Sequence, residues 1–319
     1  LFRSVPLNQH LWSKEMIADF NGVFLGYYTR LCYMDDDLAT YWISRQAKWR
    51  HGKRKMRVVF LMSSHNKGDK LSPVYDAMRG RNDIELFMVL HPNADFKHAD
   101  KFFDYFREKY PDDNIYDAFS LTDLRKLEPD YVFMAYPYEH RRPFPGLTSN
   151  DIIKFAKIVN INYAELLAYN YLDRQLDEFP HFYRLVYFLF TSSNTAKVEA
   201  IKRLTANVEL GYQHFEFLGY PLLDGTGRME IDEHSTKRIL WTPRWSYDAR
   251  LGGSHFLEYK DKFVDLRERY GDKVELSMRP HMATFRFLQS QGLISKEEVA
   301  AYKKRLKDNA VDLHSTFID

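Results

Sequence analysis

The sequence contains a single cysteine, Cys32, among 319 residues. One thiol cannot form an internal disulfide or supply a cysteine-based zinc site, and low cysteine use is typical of proteins from a reducing compartment. His, Asp and Glu show no cluster at metal-ligand spacing either. The sequence therefore predicts neither a metal site nor a cofactor, and it indicates a cytoplasmic location.

Long apolar runs are also missing. The longest candidates, 20–28 and 185–190, fall well short of the roughly 20 residues that span a bilayer, and no signal peptide pattern is visible. Lys plus Arg number 46 against 44 Asp plus Glu, a net charge of +2. This balance gives no general reason to expect a nucleic-acid partner. The absence of a Walker loop and of G-x-G-x-x-G argues against P-loop kinases and dinucleotide oxidoreductases.

The length favours two domains preceded by a helical segment. Residues 1–56 predict that segment, because Trp12, Met16 and Phe20 recur at helical spacing. A basic run at 48–57 follows, which is either a solvated linker or a patch that faces anionic lipid or polymer.

Residues 57–205 alternate between strand and helix patterns, which favours a parallel sheet covered on both faces. Strands are predicted at 57–62, 84–90, near 115, and at 131–135, 159–163 and 185–190. Helices are predicted at 71–79, 95–110, 121–127, 148–158 and 194–204. The last of these has Ser193 or Asn194 as its N-cap.

A second alternating domain is predicted over 206–319. It opens with a changeover at 206–236, in which 215–221 is a short strand that runs into a turn, and its alternating unit begins at Arg238. Its strands are expected at 239–242, 274–278 and 310–313, and its helices at 254–270, 281–290 and 295–307, with Ser295 and Glu298 as a capping box. Three strands are few for a doubly wound sheet. We therefore expect this domain to be incomplete in the sequence, or to have its end supplied elsewhere.

Polar residues follow both main strands of this second domain. Thr242, Arg244 and Trp245 come after the first, and Arg279 and His281 come after the second. In open α/β sheets ligands bind beyond the carboxyl ends of the strands, and guanidinium groups grip phosphate with paired hydrogen bonds.

A helix start lies between the two strands. Gly252, Gly253 and Ser254 would present backbone N–H groups there, where the helix dipole favours anions. His281 could donate to a phosphate oxygen or protonate a leaving group. Together these features predict a site for a nucleotide diphosphate.

Several of these segments resemble the CDP-glycerol glycerophosphotransferase family in sequence and in order. They are Leu218-Gly219-Tyr220-Pro221 with Asp224, then 239–245, then 252–257, and then Arg279-Pro280-His281. A looser similarity covers Asp69 with 73–78 and the Pro137-Tyr138 loop. The resemblance extends over roughly residues 57–314.

The resemblance implies a GT-B-like architecture, in which two Rossmann-like domains face a cleft, with the donor on the C-terminal domain and the acceptor on the N-terminal one. It also implies transfer of glycerol-phosphate or ribitol-phosphate from a CDP-alditol to a hydroxyl of a capsule or teichoic-acid polymer, with release of CMP. The acceptor would be a polymer or lipid-linked saccharide. The enzyme would act at the inner face of the cell membrane, attached peripherally.

Two features depart from the family. The Trp-His-Gly-Thr segment, whose histidine is thought to be catalytic, has no counterpart, because the corresponding region at 159–165 lacks histidine. An Asp-Tyr-Ser-Ser-like donor motif is not reached before Asp319. The base is therefore unidentified. The candidates lie on loops that follow N-terminal strands: His65, Asp69, Glu139 and His140, with Tyr138 as a substrate contact. Asp248 and His255 are further, weaker candidates.

Two other functions stay open. A GT-B glycosyltransferase using a nucleotide sugar needs the same phosphate grip but attacks an anomeric carbon. A non-catalytic polymer-binding module would keep the fold without a base, and the missing histidine favours it. Fold alone does not separate these possibilities.

Overall fold

The computed structural model describes residues 52–63, 71–91, 99–118, 123–139, 146–161, 171–209, 211–224, 236–247, 253–281 and 283–314, with isolated residues at 48, 120 and 121. The predicted helices within 1–56 therefore lie outside the described residues. The chain divides into two compact units, Leu1–Thr226 and Gly227–Asp319.

The first unit is built on one sheet of seven strands, every neighbouring pair of which is parallel. The strands are β1 (Met56–Ser63), β2 (Ile84–His91), β3 (Asn114–Asp117), β4 (Tyr131–Met134), β5 (Lys157–Ile161), β6 (Val186–Thr191) and β7 (His214–Phe217). Their spatial order is β3-β2-β1-β4-β5-β6-β7. The order reverses direction between β1 and β4, which is the switch point where doubly wound sheets bind ligands.

Helices connect most of these strands. They are α1 (Ser72–Met78), α2 (Ala99–Lys109), α3 (Ser149–Ile152), α4 (Tyr171–Glu178), α5 (Pro180–Leu185), α6 (Asn194–Arg203) and α7 (Thr205–Glu209). Ser193 caps α6 by accepting the N–H of Ala196, as the sequence predicted.

Strand β1 shows why an unbroken apolar run forms a central parallel strand. Val59 and Leu61 belong to the core on one face of the sheet, and Val58, Phe60 and Met62 belong to the core on the other. All five are at most 2% exposed. A strand buried on both faces needs no polar alternation.

Several stretches of the first unit differ from the sequence prediction. The helix predicted at 148–158 ends at Ile152, and β5 begins at Lys157, because the β-branched residues Ile158, Val159 and Ile161 favour a strand over a helix. The helix predicted at 121–127 is a 3₁₀ helix over Leu124–Leu127. Helices α4, α5 and α7 were not predicted. Pro180 starts α5 at a position where its missing N–H costs nothing.

The second unit contains a smaller parallel sheet, ordered β10-β9-β8. The strands are β8 (Lys237–Trp241), β9 (Val274–Met278) and β10 (Asp312–Leu313), and the helices are α8 (Phe256–Tyr270), α9 (Thr284–Ser290) and α10 (Lys296–Asp308). The predicted capping box at the start of α10 is present. A separate core forms between these elements, around Phe256, Leu276 and Leu306.

The division between the units falls later than the predicted boundary at 205/206. Strand β7 pairs with β6 in the seven-stranded sheet, with Leu189 opposite Phe215, so the predicted changeover segment contributes its strand to the first unit. The fold class itself is confirmed as α/β, with two Rossmann-like parallel sheets.

Candidate functional site

The loops that follow β8 and β9 run side by side at the carboxyl edge of the smaller sheet. The N–H of Arg279 donates to the carbonyl of Trp241 at 2.9 Å, and the N–H of His281 donates to the carbonyl of Pro243 at 3.2 Å. These bonds continue the strand pairing past the end of the sheet. The two predicted phosphate-binding loops therefore lie together, at the edge where α/β sheets bind ligands.

Two guanidinium groups at this edge, those of Arg244 and Arg279, are exposed. Within the described part of the chain, the side chains of Arg244 and Arg279 make no ion pair and no hydrogen bond. Arg305 of the same unit behaves differently, since it bridges Asp261 and Asp265 at 2.6 Å each. The positive charge of Arg244 and Arg279 is thus available to an anion.

His281 is held in one tautomer. Its Nδ1 accepts a hydrogen bond from the N–H of Ala283 at 3.1 Å, so the proton of the neutral ring is on Nε2. Partial loss of solvation, and then the charge of Arg244, lower the pKa of His281, although its side chain stays accessible to solvent. At neutral pH, His281 therefore offers an N–H at Nε2 and acts as a hydrogen-bond donor, not as a base.

Aromatic packing supports this loop. The ring of Trp245 lies 6.2 Å from that of His281 and meets Phe287 of α9 edge-on at 5.2 Å. Thr242, directly after β8, is exposed. These contacts place the predicted residues Thr242 and Trp245 in the same loop as Arg244.

The start of α8 lies at the same edge. Ser254 is buried, and its hydroxyl, directly before the N-cap residue of α8, accepts the N–H of Phe256 at 3.2 Å. Gly253 has φ near +24°, a conformation that glycine adopts most easily. Gly252 lies outside the described residues. A role for the Gly252–Ser254 backbone in anion binding stays a prediction.

In the first unit, Tyr138 and Glu139 follow β4 at the switch point. The carboxylate of Glu139 accepts the N–H of Ser149 at the start of α3, and the ring of Tyr138 meets Phe179 edge-on at 5.0 Å. Glu139 therefore has a structural task, and acting as a base would compete with it. Four other base candidates lie outside the described residues: His65, Asp69, His140 and, in the second unit, Asp248.

Sequence reasoning missed one polar residue at this edge. Asn160 of β5 is fully buried beside β4, and its Nδ2 donates to the carbonyl of Met134 at 2.7 Å. Among the described residues, its Oδ1 has no partner. The sequence did contain a signal for this residue, because Asn160 is the one amide side chain in the otherwise apolar stretch 158–161. A polar side chain in a buried strand normally has a hydrogen-bonding or functional role.

A cavity of about 540 Å³ opens at the opposite, amino edge of the larger sheet. Its polar groups satisfy one another: the hydroxyl of Tyr75 donates to Asp113 at 2.7 Å, and Arg79 pairs with the same carboxylate at 2.9 Å. Ligands of such sheets bind at the carboxyl edge, so size alone does not make this cavity the functional site.

No protein-family model matches this sequence, and no curated protein matches it. Similar solved structures include the UDP-GlcNAc 2-epimerase of Neisseria meningitidis bound to UDP-GlcNAc, at 14% identity and a TM-score of 0.43, covering 83% of this chain and 73% of that one. The Methanocaldococcus jannaschii UDP-GlcNAc 2-epimerase, in complex with UDP-GlcNAc and UDP, shows 14% identity and a TM-score of 0.44, over 82% and 73%. A mutant O-GlcNAc transferase of Thermobaculum terrenum shows 14% identity and a TM-score of 0.40, over 83% and 45%.

These likenesses are too distant to carry a function to this chain.

Over the described residues, no helix combines the length and apolar character needed to cross a membrane.

Proposed function

We propose that the protein is a transferase that binds the diphosphate of a nucleotide-activated donor at the carboxyl edge of the second unit. The observation that carries this proposal is the pair of exposed guanidinium groups of Arg244 and Arg279, which no described carboxylate neutralises. Unpaired cations on adjacent strand-end loops suit a ligand with two negative centres, because each guanidinium grips a phosphate through parallel hydrogen bonds.

His281 supports the same assignment. A neutral imidazole that presents an N–H at Nε2 can donate to a phosphate oxygen. Its pKa is lowered first by partial desolvation and then by the charge of Arg244, and that same charge attracts anions. In a transfer reaction, negative charge develops on the departing nucleotide. A fixed donor aimed at that charge stabilises the transition state more than the ground state.

Two classes of donor are compatible with this grip. A CDP-alditol, giving glycerol-phosphate or ribitol-phosphate transfer to a cell-surface polymer, rests on the sequence resemblance of the loops at 239–245 and 279–281. A nucleotide sugar, giving glycosyl transfer, needs the same diphosphate contacts. In this proposal, the carboxyl edge of the second unit's sheet binds the nucleotide diphosphate, which both classes of donor contain.

The test is nucleotide release from a donor panel. The protein is incubated with CDP-glycerol, CDP-ribitol and a set of UDP- and GDP-sugars, with and without capsule or teichoic oligomer. Acceptor-dependent CMP release would establish alditol-phosphate transfer, and acceptor-dependent UDP or GDP release would establish glycosyl transfer. Binding of a nucleotide diphosphate without turnover of any donor would favour a non-catalytic polymer-binding module.

A matched pair of variants ties the result to this site. Arg279→Gln should weaken nucleotide diphosphate binding, whereas Arg269→Gln should not. Both residues are exposed arginines of the second unit, but Arg269 lies in the last turn of α8, and its guanidinium rests against Tyr270. Equal effects of the two substitutions would show that only overall charge matters, which would remove the proposed site.

A further inference from the structure

The first turn of α8 carries a histidine–carboxylate pair. Nδ1 of His255 lies 2.9 Å from Oε2 of Glu258, three residues further along the same helical face. The hydrogen bond from His255, followed by one from the hydroxyl of Tyr259, lowers the pKa of Glu258. An ionised carboxylate can only accept, so Nδ1 of His255 must carry a proton. In the neutral form of the ring, the lone pair is therefore on Nε2.

His255 and His281 therefore present opposite chemistry at Nε2. In His281, a backbone N–H occupies Nδ1 and leaves an N–H at Nε2. In His255, a carboxylate occupies Nδ1 and leaves a lone pair at Nε2. A donor and an acceptor of this kind are the two groups that a displacement reaction needs, one for the leaving group and one for the nucleophile.

Packing fixes His255 at the same edge as the unpaired arginines. The next residue, Phe256, is fully buried, and its ring lies 5.7 Å from Trp241 at the end of β8 and 5.6 Å from Phe285 of α9. Trp241 directly precedes the Arg244 loop, and α9 directly follows His281. The side chain of His255 is 72% exposed, so a substrate hydroxyl could reach it.

We propose that His255 is the general base of the transfer reaction and that Glu258 is its positioning residue. This inference rests on the function proposed above. Nε2 of His255 takes the proton of the acceptor hydroxyl as its oxygen forms a bond to phosphorus, or to the anomeric carbon of a sugar donor. The bond from that atom to the leaving oxygen breaks, and the nucleotide departs with the electron pair. The imidazolium, held by Glu258, returns its proton to solvent after product release.

The carboxylate of Glu258 has a distinct kinetic signature in this arrangement. A carboxylate beside an imidazole stabilises the imidazolium that forms as the proton of the acceptor is taken. Replacing Glu258 with glutamine removes that charge but keeps an oxygen that can accept from Nδ1, so kcat should fall while the KM for the acceptor and the donor Kd stay unchanged. A merely structural role of Glu258 would change these binding parameters together with kcat.

The experiment compares His255→Gln and Glu258→Gln with Glu268→Gln, an exposed glutamate in the same helix. Donor affinity is measured by calorimetry, and kcat is measured by nucleotide release with saturating acceptor. We expect His255→Gln to lower kcat by about 10²- to 10⁴-fold, the usual contribution of general base catalysis, with donor Kd changed less than about twofold. Glu258→Gln should lower kcat by about tenfold, with the acceptor KM and the donor Kd unchanged.

The outcomes separate the two proposals. Normal kcat in His255→Gln, with the wild type active, would overturn the base assignment and leave the transferase assignment standing. A wild-type protein that binds no nucleotide diphosphate would overturn the transferase assignment, and the base assignment with it. Equal losses in Glu268→Gln would show that the effect is not specific to the pair.

Discussion

Arg244→Gln separates the electrostatic part of the proposed site from its packing. Arg244 is exposed and makes no ion pair among the described residues, so we expect the free energy of unfolding to change by less than about 0.5 kcal/mol. The affinity of the variant for a nucleotide diphosphate should change more than its stability. A hydrogen bond to a charged group contributes about 1.5–3 kcal/mol, and about 1.4 kcal/mol corresponds to a tenfold change in Kd. The variant should therefore bind a nucleotide diphosphate roughly 10- to 150-fold more weakly.

The same substitution has a second readout at His281. Removing the nearby cation should raise the pKa of His281, which Arg244 lowers in the wild type. The value should stay below its usual one, because partial desolvation is the larger cause and persists. NMR titration of the imidazole C–H signals measures both proteins directly. An unchanged pKa of His281, or an unchanged Kd with an intact fold, would refute the reasoning.

The direction in which pH changes the stability of the protein follows from the lowered pKa of His281. The folded protein holds His281 with a pKa below that of the unfolded chain, so above about pH 6.5 neither state binds the proton. As the pH falls below that value, the unfolded chain takes up the proton first and stability decreases. An anion bound beside His281 favours its protonated form, so nucleotide affinity should rise over the same interval, and in Arg244→Gln the rise should begin at higher pH.

Four further substitutions test the surrounding structure. Glu139→Ala should cost about 1 kcal/mol in urea unfolding, because it removes the acceptor for the N–H of Ser149 at the start of α3. Ser295→Ala should cost a similar amount through loss of the α10 capping box; no loss would show that the cap is compensated. Leu240→Lys should be nearly neutral, because Leu240 is 53% exposed, whereas the matched change Leu276→Lys, at 2% exposure, should cost several kcal/mol. Thermal denaturation ranks that last pair, and equal Tm values would contradict the burial argument.

The parts of the fold that could be predicted from the sequence are those where local and tertiary preferences agree. Strand β9 runs from Val274 to Met278, as predicted, because alternating burial of Val274, Leu276 and Met278 matches its apolar pattern. Ser193 and Ser295 both cap their predicted helices, because capping is a local interaction.

The parts that could not be predicted depend on distant contacts or on side-chain orientation. The short strand predicted from Phe215 is present as β7, but it joins the larger sheet through pairing with β6, about 26 residues earlier in the chain, and such a distant pairing leaves no local signal in the sequence. The opposite tautomers of His255 and His281 depend on which group faces each Nδ1. Sequence spacing can place Glu258 on the same helical face as His255, but it cannot show which ring nitrogen of His255 carries the proton.

Comparison of the two sheets explains why the proposed anion site is open on one side. The order β10-β9-β8 repeats the order β3-β2-β1 of the larger sheet, so β8 holds the place that β1 holds there. β1 is also paired with β4, whereas among the described residues β8 has β9 as its one neighbour. Ile239 and Leu240, on opposite faces of β8, are consequently 37% and 53% exposed, while Val59 and Phe60 of β1 are fully buried. Ligands of doubly wound sheets bind where the strand order reverses, and that point lies on the unpaired side of β8. Over the described part of the chain, the proposed anion site therefore lies beside the side of β8 with which no strand pairs.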